Sequence, residues 1–187
     1  MNYSKEWLIN EIKQDKPIEF VLFWGHRPLK YGEIGMSCLS QWYEISFIVD
    51  NVRYATAEHW MMAEKARICN DLEIMPHILE APTAEIAKKL GRKIKNFDQN
   101  LWDKHKYESV KRGNLHKFSQ NARLKKYLIS TADKILVEAS PYDQIWGIGL
   151  GKESPNAVKP ECWNGQNLLG FALMEVRDEL TNSANAK

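Results

Sequence analysis

The segment Tyr54–Ala66 holds residue types that can move protons or attack carbon. Placed on a helix, Glu58, Met62 and Lys65 stand at i, i+4 and i+7 and share one face. Met62 is apolar, so that face points inward at its level. A carboxylate and an ammonium flanking such a residue are expensive to bury unless paired or used. The same spacing also serves a structural ion pair or a face turned to water. Glu64 and Arg67 fall on another side and are expected in solvent. His59 reads as a satisfied histidine. Glu58-His59 has no second His four residues on, so it is not the His-Glu-x-x-His zinc motif.

A second segment, Glu138–Gly151, carries Asp143 and Trp146, then Gly147, Gly149 and Gly151 at alternate positions. An acid and an indole on one turn suit the mouth of a site. Glycines let backbone N–H groups approach a ligand and can form an anion-binding nest. The spacing is not the Gly-x-Gly-x-x-Gly dinucleotide fingerprint. The plain alternative is a glycine-rich turn with Asp143 as its Asx cap. Asn167 either caps the last helix or offers its amide to a ligand. Trp102 is a core tryptophan or a stacking wall. Trp24, Gly25 and Arg27 lie on a loop where the guanidinium holds a phosphate or faces solvent. The basic residues Lys88, Lys89, Arg92, Lys93 and Lys95 read most simply as a solvated face.

The elements that position these residues follow from periodicity. Residues 3–14 predict a short amphipathic helix. Phe20–Trp24 reads as a strand, 25–43 as a loop, and Ile45–Val49 with Val52–Tyr54 as a hairpin turning at Asp50-Asn51. Thr56 caps a helix from about Ala57 to Ile68. Pro82 opens another that ends at Gly91. Asp98 caps a long helix through Phe118, weakened at Gly113. Asn121 starts a shorter one through Leu128. Lys134–Glu138 is a buried strand. Leu169, Ala172, Leu173, Val176 and Leu180 mark one face of the last helix, before a polar, frayed 181–187. The expected fold is α+β and predominantly α-helical: one compact domain at 19–180 with a small antiparallel sheet, and a helical extension at 1–18.

Composition removes other classes. The chain has 187 residues, 44% hydrophobic and 27% charged, which suits one ordinary globular domain. Its 26 basic and 24 acidic residues leave +2, too little for a strong global field toward nucleic acid or membrane. No apolar run approaches the roughly 18 residues of a membrane span, and the first residues lack a signal-peptide layout. Three cysteines, Cys38, Cys69 and Cys162, lie far apart and do not suggest a disulfide framework or a zinc site. The expected address is the cytoplasm.

The order of these pieces resembles the NADAR superfamily of YbiA-like proteins. It runs through Phe23-Trp24-Gly25-His26, Leu39-Ser40-Gln41-Trp42, Tyr54-x-Thr56-x-Glu58-His59 through Lys65-Ala66, and Gly91-Arg92. Trp102, Lys117-Phe118, Leu136-Val137-Glu138, Asp143-x-x-Trp146-Gly147-x-Gly149 and Asn167-Leu168-Leu169-Gly170 follow. Gln41 stands where many members carry Asn.

The resemblance implies hydrolysis of an N-glycosidic bond with no cofactor and no metal. Two substrate classes follow from it. One is the phosphoribosylamino-pyrimidine intermediates of riboflavin biosynthesis. The other is ADP-ribose on guanine, with DNA or RNA as its carrier. A non-catalytic ADP-ribose or NAD reader is the third reading. The family's acidic and aromatic positions fall on Glu58, Trp102, Asp143 and Trp146. Glu58 and Asp143 are expected at the ribosyl carbon, and Trp102 and Trp146 against the heterocycle. Lys65 is expected to bind phosphate or pair with an acid, or to attack C1 if its pKa is lowered. Arg27 and the Gly147 and Gly149 backbone are expected at the phosphate, with Trp24, Gly25 and Asn167 as further contacts. The partner is a small phosphoribosyl or ADP-ribosyl molecule, not a membrane.

Overall fold

A computed structural model describes residues 1–14 and 17–185. By their contacts they form two units, one from Met1–Ser40 and Arg123 onward, the other from Gln41–Ala122. The second is a continuous stretch of chain between the two parts of the first.

The Gln41–Ala122 unit carries a hairpin of β2 (Phe47–Val49) and β3 (Val52–Tyr54). Asp50 and Asn51 both turn with positive φ, 49° and 63°, as a tight two-residue hairpin requires. The pairing sets Phe47 opposite Tyr54, and their rings stack at 5.7 Å. Helix α2 (Ala57–Ile68) follows, capped by the Thr56 hydroxyl, which accepts from the His59 N–H. Most of α2 is buried, so it lacks the polar stripe of a surface helix. Around it stand α3 (Met75–Leu79), α4 (Ala84–Gly91) and the long α5 (Gln99–Gln120). Asp98 caps α5 by accepting from the Asn100 and Leu101 N–H groups. Trp60 fills the centre: its indole N–H donates to the Ser109 carbonyl at 2.8 Å, and Tyr54 meets it edge-on at 4.9 Å. Gly113 is the reason α5 can lie so close, since any side chain there would run into that indole.

The other unit is assembled from both ends of the chain. It holds α1 (Lys5–Ile12), β1 (Phe20–Phe23), α6 (Ala122–Ser130) from its second residue on, β4 (Ile135–Glu138) and α7 (Leu168–Asn185). Strands β1 and β4 pair in parallel, from Phe20 opposite Ile135 to Phe23 opposite Glu138. Helix α7 packs on β4. Asn167 fixes that contact, accepting from the Glu138 N–H and donating to the Leu136 carbonyl, both at 2.9 Å. Arg177 ties α7 to the approach to β4 through Thr131 and the Lys134 carbonyl. Ser4 caps α1, Lys5 donates to the Trp163 carbonyl, and Tyr3 donates to Asp178. Burial, with Asp178 beside it, pushes the Tyr3 hydroxyl up to about 12.

The helix-rich α+β character and the small antiparallel sheet are as the sequence predicts. The parallel β1–β4 pair is an addition: parallel strands need a long crossover, and local periodicity carries no sign of direction. Pro82 sits outside α4, because Thr83 takes the cap. The short α3 has no amphipathic period to announce it. Residues 181–185 continue α7 as helix rather than fraying. Residues 186 and 187, the rest of the expected tail, lie outside the described residues, as do 15 and 16 of the expected extension. Two short 3-10 turns, Lys30–Gly32 and Met36–Leu39, lie in the segment read as loop.

Candidate active site

Glu58 is the second residue of α2. Its N–H, one of those a helix start leaves without an internal partner, donates to the Gln41 carbonyl at 3.0 Å. The residue is only 2% exposed. It stands in the first turn of α2, at the positive end of the helix dipole. Next to it, His59 is fully buried, with Nδ1 2.8 Å from the Thr56 hydroxyl and Nε2 2.9 Å from the Ala81 carbonyl. A carbonyl only accepts, so Nε2 carries the proton and Nδ1 accepts from Thr56. Burial lowers the His59 pKa. It is the satisfied core histidine that the sequence suggests.

Lys65 lies two turns along the same face of α2. Its Nζ donates to the Gly91 carbonyl at 3.2 Å and stands 4.0 Å from the Phe97 ring centroid. Burial lowers the Lys65 pKa; Arg92 adds to that, while Cys69 and Glu58 act against it. Met62, between the two charged residues, is buried against Gly91, and a side chain at Gly91 would collide with its sulfur. That bare glycine lets α4 bring a carbonyl to the Lys65 ammonium.

Glu64 departs from expectation. It is 4% exposed rather than in solvent, held between the guanidinium groups of Arg67 and Arg112. Arg112 also lies 4.9 Å over the Trp60 ring. A buried carboxylate needs such partners, and Arg112 comes from α5, a partner that helical spacing cannot reveal. Trp102 is 8% exposed, the burial of a core tryptophan.

In the other unit, Asp143 opens the glycine loop after β4. Its Oδ1 accepts from the Ile145 N–H at 2.9 Å and the Trp146 N–H at 2.7 Å. This is the Asx cap, so one carboxylate oxygen builds the turn. Trp146 is half-buried. Gly147 is packed so tightly that a side chain would strike the Glu138 and Asp143 carbonyls. Gly149 has φ +66° and donates its N–H to the Asp143 carbonyl, closing the loop on itself. Both ends of the Asn167 amide are engaged with β4, as described above. The loop leaving β1 turns at Gly25 (φ +82°) and carries exposed Trp24 and Arg27. Trp24 lies 6.4 Å from Tyr142, the residue before Asp143.

Within the Gln41–Ala122 unit, then, the fold puts Glu58 and Lys65 on one buried helix face. Sequence reasoning missed three of their neighbours: Gly91, Phe97 and Gln41. The Gly91-Arg92 and Gln41 positions were visible as motif residues, whereas nothing in the pattern marked Phe97. No group of three or more His, Cys, Asp or Glu side chains among the described residues is arranged to hold a metal. No helix among them is long and apolar enough to cross a membrane.

Comparison with known proteins gives a consistent picture. The chain is 39% identical to N-glycosidase R617 of Acanthamoeba polyphaga mimivirus over 166 residues, 86% of this chain and 96% of that protein. It is 33% identical over 144 residues to the chloroplastic riboflavin biosynthesis protein PYRR of Zea mays, covering 73% of this chain and 21% of that longer protein. Its fold matches the NMR structure of Escherichia coli YbiA with a TM-score of 0.72 at 25% identity, over 92% of this chain and 90% of that one. The profile described as NADAR domain matches residues 22–181, and the chain belongs to that family.

Proposed function

We propose that this chain is an N-glycosidase that hydrolyses the ribosyl C–N bond of a phosphoribosylamino-pyrimidine, releasing ribose 5-phosphate and the aminopyrimidine. The relatives' names support the reaction class: N-glycosidase for the viral protein and riboflavin biosynthesis for the maize protein. The observation that carries the reading is the buried face of α2, where Glu58, 2% exposed, shares a helix face with a lysine whose pKa burial lowers.

Breaking the C–N bond builds positive charge on the ribosyl carbon and ring oxygen, by analogy with O-glycoside hydrolysis. The Glu58 carboxylate stabilises that charge and takes a proton from the attacking water. The leaving nitrogen gains a proton and the water oxygen ends on C1. Asp143 keeps one oxygen outside its turn hydrogen bonds and is the second carboxylate of the proposal. Trp146 and Trp102 remain proposed stacking residues, with Trp24, Gly25, Arg27, Gly147, Gly149 and Asn167 as further contacts.

The lowered Lys65 pKa favours a second route. A glycosylamine opens to an imine at C1. The Lys65 amine adds to that carbon, expels the aminopyrimidine, and water then frees the lysine and the open-chain sugar. Removal of ADP-ribose from guanine breaks the same kind of bond.

The test is mass spectrometry of products from the aminopyrimidine ribosyl phosphate, an ADP-ribosyl-guanine oligonucleotide and NAD. The expected result is ribose 5-phosphate from the first, lowered about 10²–10⁴-fold in Glu58→Gln, the range of a lost acid–base group. Binding of all three without turnover would overturn the reading and leave a ligand reader.

A further inference from the structure

The start of α2 is fastened by two residues that the reaction above does not use. Gln41 accepts the Glu58 N–H on its backbone carbonyl at 3.0 Å. Its side-chain Oε1 accepts from Asn114 Nδ2 at 2.9 Å, and the same nitrogen donates to the Val110 carbonyl at 2.9 Å. A chain of three contacts therefore runs from the middle of α5, through one buried glutamine, to the backbone of Glu58. Asn114 is fully buried and Gln41 is 7% exposed.

This link is not what stability alone would select. Asn is a poor residue for a helix interior, and Asn114 lies well inside the 22-residue α5. Gln41 Nε2 and Asn114 Oδ1 are buried and meet no hydrogen-bond partner among the described residues. Replacing both members of such a pair with apolar groups of similar size is often neutral or stabilising. What the pair does supply is a fixed position for Gln41, and through its carbonyl for the first turn of α2.

We propose that Gln41 and Asn114 are positioning residues that set where the Glu58 carboxylate stands as the C–N bond breaks. The inference rests on the reading of Glu58 as the reacting carboxylate. Misplacing a reacting group by about 1 Å can lower a rate about 100-fold, and a residue acting only through another has no effect once that other is gone.

The experiment compares four proteins on the phosphoribosylamino-pyrimidine: wild type, Glu58→Gln, Gln41→Leu/Asn114→Leu, and the triple variant. Expected for the Leu pair is a melting temperature equal to or above wild type, unchanged KM, and kcat lower by tenfold or more. In the Glu58→Gln background the same Leu pair lowers kcat no further. If the Leu pair fails to fold, Asn114→Ala takes its place with the same expectation for kcat and KM. Wild-type kcat in a folded Leu pair, or an equal loss with and without Glu58, overturns the inference while the Glu58 reading stands. Wild-type turnover in Glu58→Gln overturns the Glu58 reading instead, and the inference with it.

Discussion

Lys65 is held in a form unusual for a lysine. Its ammonium donates to one backbone carbonyl and lies over an aromatic ring. Burial makes the ammonium costly, so its proton leaves below the ordinary value of 10.5. If the amine is the working form, kcat rises with pH up to that lowered pKa and is level above it. Lys65→Arg keeps a cation but has no accessible amine, so the rise disappears and turnover falls. Reduction with cyanoborohydride during turnover, followed by peptide mass spectrometry, checks the same point: a ribosyl adduct on Lys65 is expected, and its absence leaves direct hydrolysis at Glu58. The relation between Glu58 and Lys65 was legible, because helical spacing alone puts residues seven apart on one face. Asp143 as an Asx cap was equally legible, since the acceptor and its donors are neighbours in the chain. The Gln41–Asn114 contact was not, because its members are 73 residues apart and only packing brings them together.

At the scale of elements, α2 depends on its start and on its neighbours' glycines. Thr56→Ala removes the acceptor for the His59 N–H and the hydroxyl facing His59 Nδ1. A lost cap costs about 0.5–2 kcal/mol, so chemical denaturation should show a lower midpoint with an unchanged m-value. Gly113→Ala tests the opposite fault. Alanine is the better helix former, and propensity alone predicts a gain of about 1 kcal/mol. The indole of Trp60 occupies the space that the new methyl group needs, so overpacking of about 1–3 kcal/mol wins and the protein loses stability. The sequence marks Gly113 as a weak point in α5; the structure gives the reason for it. The boundaries of α2 and the Asp98 cap were readable because cap chemistry is local. The parallel β1–β4 pair was not, since strand direction depends on a connection that spans most of the chain.

For the molecule as a whole, the chain order separates two kinds of unit. Gln41–Ala122 is continuous, whereas the other unit brings together segments from both ends of the chain. Continuous helical segments have local contacts and form fast; the β1–β4 pairing needs a long loop closed first. Acid stability belongs to this scale, because protonation of one buried group bears on the folding equilibrium. His59 is neutral in the fold, and burial holds its pKa below the ordinary 6.5. Its unfolded form therefore binds more protons between those two values, and linkage makes stability rise with pH across that window. The contribution is complete above pH 6.5 and is lost as pH falls through the lowered folded value. Protonation would put a second N–H on Nδ1, facing a Thr56 hydroxyl that already accepts the His59 backbone N–H. His116, whose pKa is also lowered by burial and by Arg112, adds to the same trend. Thermal melts from pH 8 to pH 5 should show a falling midpoint below about pH 6.5, the unperturbed value for histidine. Glutamine can donate to the Ala81 carbonyl but cannot titrate. His59→Gln should thus be less stable than wild type at pH 8, through imperfect packing, yet lose less on acidification. A parallel fall in both proteins would assign the acid sensitivity to other groups.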